Sequence, residues 1–297
     1  MSKLWKIIAT CAGAGFVLMV AGILLGADMR GVTFHGGRFR MASDSAAVIA
    51  SYRETEQITS INIEVTSLRV RIVEGDSFGF DINYSGRQSD VTYDFSNGAL
   101  TIRQSSRVRL NFGIGGFSRN ERITVFIPAG AELDNANIRV SSGSVEVGDL
   151  NALNISLRAS SGRVLAENII AENLTVRASS GNITLNNVEA LDINASASSG
   201  NIRITNAVYE ELTAETSSGN INMSGVFYGY TNVQASSGNV TLNVEGAEPN
   251  FNYETRASSG TVRVDGSRLG TAIVNNAADN SINARTTSGN IRINFGR

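Results

Sequence analysis

From residue 131 onward apolar and polar residues alternate with a period of two, and the alternation is interrupted every 19 residues by a Ser-Ser-Gly phrase. A full copy reads Ser179-Ser180-Gly181-Asn182-Ile183-Thr184-Leu185. The glycines stand at Gly143, Gly162, Gly181, Gly200, Gly219 and Gly238, with looser copies at Gly260 and Gly289. Two residues after the glycine the column is aliphatic (Val145, Val164, Ile183, Ile202, Ile221, Val240), and four after it runs Val147, Ala166, Leu185, Ile204, Met223, Leu242. Seven and five before it stand further apolar columns, as in Ile155 and Leu157 or Leu174 and Val176. This pattern predicts two strands per repeat and no helix. One such repeat cannot bury its apolar side alone, so the repeats are expected to stack as an all-β, parallel β-solenoid of 19-residue coils. Steps of about 4.8 Å between eight coils give a rod of roughly 35 Å.

The turn carries its own expectations. Glycine is read as the residue that reaches positive φ without steric cost, and the serines as partners for turn backbone groups. The column three before the glycine is small (Val140, Ala159, Ala178, Ala197, Thr216), which lets the backbone approach the opposite wall. Asn182, Asn201, Asn220, Asn239 and Asn290 follow their glycines and are expected to form a structural amide ladder. A row of ligand-binding amides is the sharper alternative. Toward the C-terminus the glycine spacing opens to 22 and then 29 residues, which places loops on one side of the solenoid. The strand Ile291–Phe295 then reads as the open end of the rod, guarded by Arg292 and Arg297 or used to pair with another molecule.

Upstream the period is lost. Residues 58–130 alternate irregularly and read as the cap of the same solenoid, with a separate β-domain as the alternative. Turns are expected at Glu74-Gly75-Asp76 and Ser96-Asn97-Gly98, and a flexible basic loop over 105–120. Residues 131–297 are the regular repeats and 28–57 a juxtamembrane stalk. In residues 1–27, Lys3 and Lys6 precede an apolar run that continues to Ala27. About 20 apolar residues suffice to cross a bilayer as a helix. The charge placement then predicts a cytoplasmic N-terminus and an extracytoplasmic solenoid. A cleaved signal peptide is the rival.

The Ala-Ser-Ser-Gly-Asn-Ile phrase and the preceding Ile123–Pro128 resemble the bacterial "putative adhesin" β-strand-repeat family, over roughly residues 58–297. The resemblance implies a parallel β-solenoid displayed outside the cell on a membrane anchor. It supplies no catalytic residues.

Composition narrows the chemistry. A net charge of −2 points neither to a polyanion-binding tail nor to nucleic acid. The single cysteine, Cys11, lies in the apolar run, so the exported part has no disulfide and its stability must come from stacking. His35 stands alone, and no cysteine or histidine cluster offers a zinc or redox site. Asp149, Asp192, Asp265 and Asp279 share no column, which argues against a calcium roll. No cofactor or metal is therefore expected. Asp192 and Glu211 each follow a glycine by eleven residues and fall side by side at about 5 Å, near the spacing of a retaining glycosidase. A polar turn produces the same pairing by chance, and no aromatic platform accompanies it.

The better candidate is the position four before the glycine, which holds Arg139, Arg158 and Arg177, then Ser196, Glu215 and Gln234, then Arg256 and Arg285. Three stacked arginines suit a phosphate-bearing wall polymer or anionic lipid heads. Solvated side chains screened by salt are the bland alternative. These observations lead to a non-enzymatic, membrane-anchored envelope protein that makes adhesive, wall-polymer or protein contacts. The alternatives are an accessory subunit of an envelope-stress sensing system and, further off, a polysaccharide-acting β-helix enzyme.

Overall fold

The structure, a computed structural model, describes residues 32–35, 38–41, 47–54, 57–84, 88–105 and 121–296. It divides into one unit of Met1–Ala46 with Val108–Asn120 and a second of Ala47–Arg107 with Glu121–Arg297. The described part of the first is an antiparallel hairpin, Val32–His35 against Arg38–Met41, and it contains His35. The apolar run ending at Ala27, and all of the expected basic loop except Ser105 at its start, lie outside the described residues. Among the described residues no helix is long and apolar enough to cross a membrane.

In the second unit the repeats pair in parallel, each residue lying beside the one 19 positions on: Val145 beside Val164 and Val164 beside Ile183. Each coil has three inward rows of side chains, not the two strands per repeat expected from the pattern. The additional row is Leu150, Ile169, Val188 and Ala207, with Ala152 and Ala190, all buried. Strands of 15 residues, Val145–Ala159, Val164–Ala178 and Ile183–Ala197, run without a break through that third side. The bend they need falls at Asp149, Asn168, Asn187 and Asn206, with φ of 53 to 55°. Asparagine and aspartate tolerate this left-handed backbone better than other side-chain-bearing residues. Their side chains form a ladder as well: Asn168 Nδ2 donates to Asp149 Oδ1 at 2.9 Å, Asn187 to Asn168 at 3.1 Å and Asn206 to Asn187 at 3.2 Å.

The repeat glycines do a different job from the one expected of them. None of the six from Gly143 to Gly238 has φ in the left-handed region. They are needed because the coils touch there: a Cβ on Gly162 would lie 1.6 Å from the Gly143 carbonyl oxygen, and one on Gly200 2.0 Å from that of Gly181. The serine turn also pairs through its backbone, since Ser161, Ser180 and Ser199 donate N–H groups to Ser141, Ser160 and Ser179 at 2.8 Å.

Both ends depart from sequential stacking. At the C-terminal end Asn280–Ser288 lies between Tyr230–Ser237 and Phe251–Ser259, and Ile291–Phe295 lies between Val240–Val244 and Val262–Val264. The Gly289 coil is thus inserted between the Gly238 and Gly260 coils. Ile291–Phe295 is therefore paired on both sides, which corrects the reading of it as an open end. The outermost coil is that of Gly260, and its edge is covered by short antiparallel strands, Ser267–Leu269 and Ala272–Val274. Edges covered in this way resist pairing with other chains.

The N-terminal end repeats the device. Ser60–Val65 is held between Glu132–Val140 and Ala99–Gln104, and Arg69–Gly75 between Val145–Ala159 and Arg122–Pro128. Val91–Ser96 and Phe78–Tyr84 then cover the outer coil antiparallel, and Ala47–Glu54 is added to Phe78–Tyr84. Residues 47–54, read from the sequence as stalk, are a strand of this unit. The break at Glu74–Asp76 joins two strands that do not pair, because Arg122–Pro128 lies between them. Asn97 and Gly98, both at positive φ, close a true hairpin between Val91–Ser96 and Ala99–Gln104.

The interior carries a few hydroxyls. Tyr209 enters from the third side and shares a hydrogen bond of 2.7 Å with the buried Thr231. Burial pushes the Tyr209 phenol well above its ordinary pKa. Tyr209→Phe leaves the Thr231 hydroxyl unsatisfied and is expected to cost about 1 kcal/mol, to be read from the denaturant midpoint.

Candidate functional site

Register places Arg139 beside Arg158 and Arg158 beside Arg177. Glu64 precedes Arg139 in this row, while Ser196, Glu215 and Gln234 follow Arg177. The insertion at the C-terminal end reverses the last two members: Arg285 lies beside Gln234, and Arg256 is outermost. Period-two alternation turns the row outward, since its chain neighbours Ile138, Val140, Leu157 and Ala159 are buried.

The arginines form one wall of a groove of about 690 Å³. Its other wall is the serine row Ser160, Ser179, Ser198, Ser217 and Ser236, and the small column Ala159, Ala178, Ala197 and Thr216 lies between them. Thr216 keeps its hydroxyl occupied by donating to the Gly200 carbonyl at 3.0 Å.

Among the described residues none of Arg139, Arg158 and Arg177 makes an ion pair. Arg158, the middle one, is half-buried, and its buried Nε has no hydrogen-bond partner. Like charges one strand apart repel by roughly 1 kcal/mol per pair in water. The molecule supplies counter-charge elsewhere. Glu146, its side chain 17% exposed, lies 2.7 Å from Arg163, 3.8 Å from Arg71 and 3.9 Å from Arg69. Arg285 likewise pairs with Glu254 at 3.0 Å. The groove thus gathers three cationic donors that make no ion pair among the described residues, with Glu64 beside Arg139 at one end and Glu215 beyond Ser196 at the other, an arrangement suited to an oxyanion near Arg158 and Arg177.

The asparagine row is a run of cross-coil hydrogen bonds. The backbone N–H groups of Asn201, Asn220, Asn239 and Asn290 donate to the side-chain oxygens of Asn182, Asn201, Asn220 and Asn239 at 2.8 to 2.9 Å. Thr261 N–H continues the row onto Asn290 at 3.0 Å. Those oxygens are occupied within the coil stack. Asp192 and Glu211 are register neighbours, both exposed. Among the described residues no group of three or more histidine, cysteine, aspartate or glutamate side chains could hold a metal ion. The sequence reading named Arg292 only as a guard of the last strand and did not single out Arg263 or Arg268; Arg268 joins the other two because the Gly260 coil is outermost and its edge takes Ser267–Leu269.

Comparisons with known proteins agree with this architecture. A Bacteroides fragilis protein described as a putative adhesin is 12% identical, with TM-score 0.51 over 82% of this chain and 95% of its own. That likeness concerns the fold alone. A cell adhesion protein from Clostridium sporogenes, also described as putative, is 11% identical over 83% of this chain and 99% of its own. Its TM-score of 0.28 carries no argument. Among curated proteins no relative matches. The profile of the family described as Toastrack DUF4097 matches residues 58–294, and the chain belongs to that family.

Proposed function

We propose that this is a non-enzymatic envelope protein, held by one N-terminal membrane helix with its N-terminus in the cytoplasm, that displays the Toastrack solenoid outside the cell. Its work is adhesive contact with an anionic wall polymer, made through the Arg139–Arg158–Arg177 groove. The observation that carries this reading is the row of three in-register guanidinium groups that make no ion pair among the described residues, facing a row of serine hydroxyls. The lysines before the N-terminal apolar run support the anchor and its orientation. The word adhesin attached to the Bacteroides protein is in keeping with the same role.

Reversing charge in Arg158→Glu/Arg177→Glu is expected to weaken binding to purified anionic wall polymer by on the order of tenfold or more. Binding should also fall with added salt. Sedimentation of the wall polymer with the purified chain reads both effects, and unchanged binding by the double variant rejects the groove as the contact.

A second reading, an accessory subunit acting on a membrane partner, draws on the exposed apolar residues Ile170, Leu191, Val208 and Tyr228 along the third side. A solenoid freed of residues 1–27 that still binds purified wall favours adhesion. Dependence on a co-purifying membrane protein favours the accessory role.

A further inference from the structure

The outward row three residues after the repeat glycines changes character along the rod. Near the N-terminal end it places Arg71 beside Glu146, and that carboxylate also takes Arg69 and Arg163. Through the middle it is mixed, with Leu165, Thr184, Arg203, Asn222 and Thr241. At the C-terminal end it becomes three consecutive arginines. Arg292 lies beside Thr241, Arg263 beside Arg292 and Arg268 beside Arg263. All three are exposed, and none has an ion pair among the described residues.

The nearby carboxylate, Asp265 in the turn between Arg263 and Arg268, accepts the Phe295 N–H at 2.7 Å and makes no ion pair with either arginine among the described residues. The other flanking positions are neutral. Asn239, Asn290 and Thr261 stand on one side, and Asn294 bonded to Asn243 at 2.7 Å on the other. A recess of about 330 Å³ opens between these rows, lined by Arg263, Arg292, Thr241, Thr261, Asn239 and Asn290.

We propose that Arg292, Arg263 and Arg268 form a second anion site, separate from the serine-lined groove, that takes a chain of phosphate groups. Guanidinium forks set one strand apart match a ligand whose charges recur along a line. A phosphate can accept paired hydrogen bonds from each fork, which a single ammonium cannot offer. Hydroxyl and amide groups beside the forks add neutral donors without bringing in opposing charge. Arg263 and Arg292 would be neighbours in either coil order, but the inserted Gly289 coil places Arg292 beside Thr241 and leaves the edge of Val262–Val264 free for Ser267–Leu269, which brings Arg268 into the row.

Tripolyphosphate titrated calorimetrically into the full chain, kept in a zwitterionic detergent at low salt, tests the site. The expected result is binding that Arg263→Ala/Arg292→Ala weakens at least tenfold, while the thermal unfolding of the variant is unchanged. Arg158→Ala/Arg177→Ala is run in parallel and should leave this component intact. Loss with the second pair alone, equal binding by the Arg263/Arg292 variant, or no binding by the wild-type chain each overturns the proposal. The groove is judged separately, by the wall-polymer sedimentation of the Arg158→Glu/Arg177→Glu variant, so either site can fail while the other stands.

Discussion

Gly200→Val is expected to cost about 4 kcal/mol or more, enough to abolish a cooperative unfolding transition. A Cβ there would stand 2.0 Å from the Gly181 carbonyl oxygen and 2.7 Å from its carbon. Both are backbone atoms tied into neighbouring coils, so neither can rotate away. Relief would need the two coils to separate, which breaks the hydrogen bonds of the Asn201 N–H to the Asn182 side-chain oxygen and of the Ser199 N–H to the Ser179 carbonyl. Gly270→Ala is the matched control, because a Cβ at that position meets nothing within 4 Å. It should change stability by no more than about 0.5 kcal/mol. Thermal unfolding followed by circular dichroism compares the two. A melting curve for Gly200→Val that overlays the wild type would refute the contact account of the glycine column.

Removing residues 280–297 is expected to be more damaging still, and in a way that distinguishes inserted from sequential stacking. In a sequential solenoid the last coil contacts one neighbour, so its loss removes one interface and leaves the remainder intact. This coil contacts two. Its removal strips Phe251–Ser259 of its parallel partner and exposes the edges of Tyr230–Ser237 and Val240–Val244 together. The aromatic contacts of Phe295 with Phe251 and Tyr253, at ring-centre distances of 5.4 and 5.9 Å, go as well. Amide exchange should show lost protection throughout 251–274, although every one of those residues is retained. Protection there equal to that of the full chain would mean that the Gly260 coil docks directly on the Gly238 coil.

The two ends share a logic that bears on folding. The outermost coil in space is not the outermost in sequence at either end. At the C-terminal end the chain lays down the Gly260 coil and the antiparallel strands after it. Only then does it supply the residues that join this coil to the rod. That arrangement makes contacts of long sequence separation, such as Asn239 with Asn290, part of the closing step.

Much of this was written in the one-dimensional pattern. A period of 19 with aliphatic columns at fixed offsets determines in-register stacking, because any slip would turn Ile183 or Leu185 outward. Register in turn determines that Arg139, Arg158 and Arg177 are neighbours, and that Asn182, Asn201, Asn220 and Asn239 fall in line. The third inward row was harder to see, since Leu150, Ile169 and Val188 are separated from the glycine columns by polar residues. The signal that would have exposed it is the Asp149, Asn168, Asn187, Asn206 column, where a left-handed bend resets the alternation.

The order of the coils at the ends belongs to the tertiary structure alone. The Gly260 and Gly289 coils carry the same kinds of side chain at the same offsets, so either satisfies the columns of the Gly238 coil. What separates them is the connection. Ser267–Leu269 and Ala272–Val274 fold back antiparallel on the Gly260 coil and cover its edge, which leaves the inner slot to the last strands. A repeat fixes what each coil presents to its neighbours, whereas chain closure and edge protection decide which neighbour it receives. The place of Arg268 beside Arg263 and Arg292 is the product of that second decision.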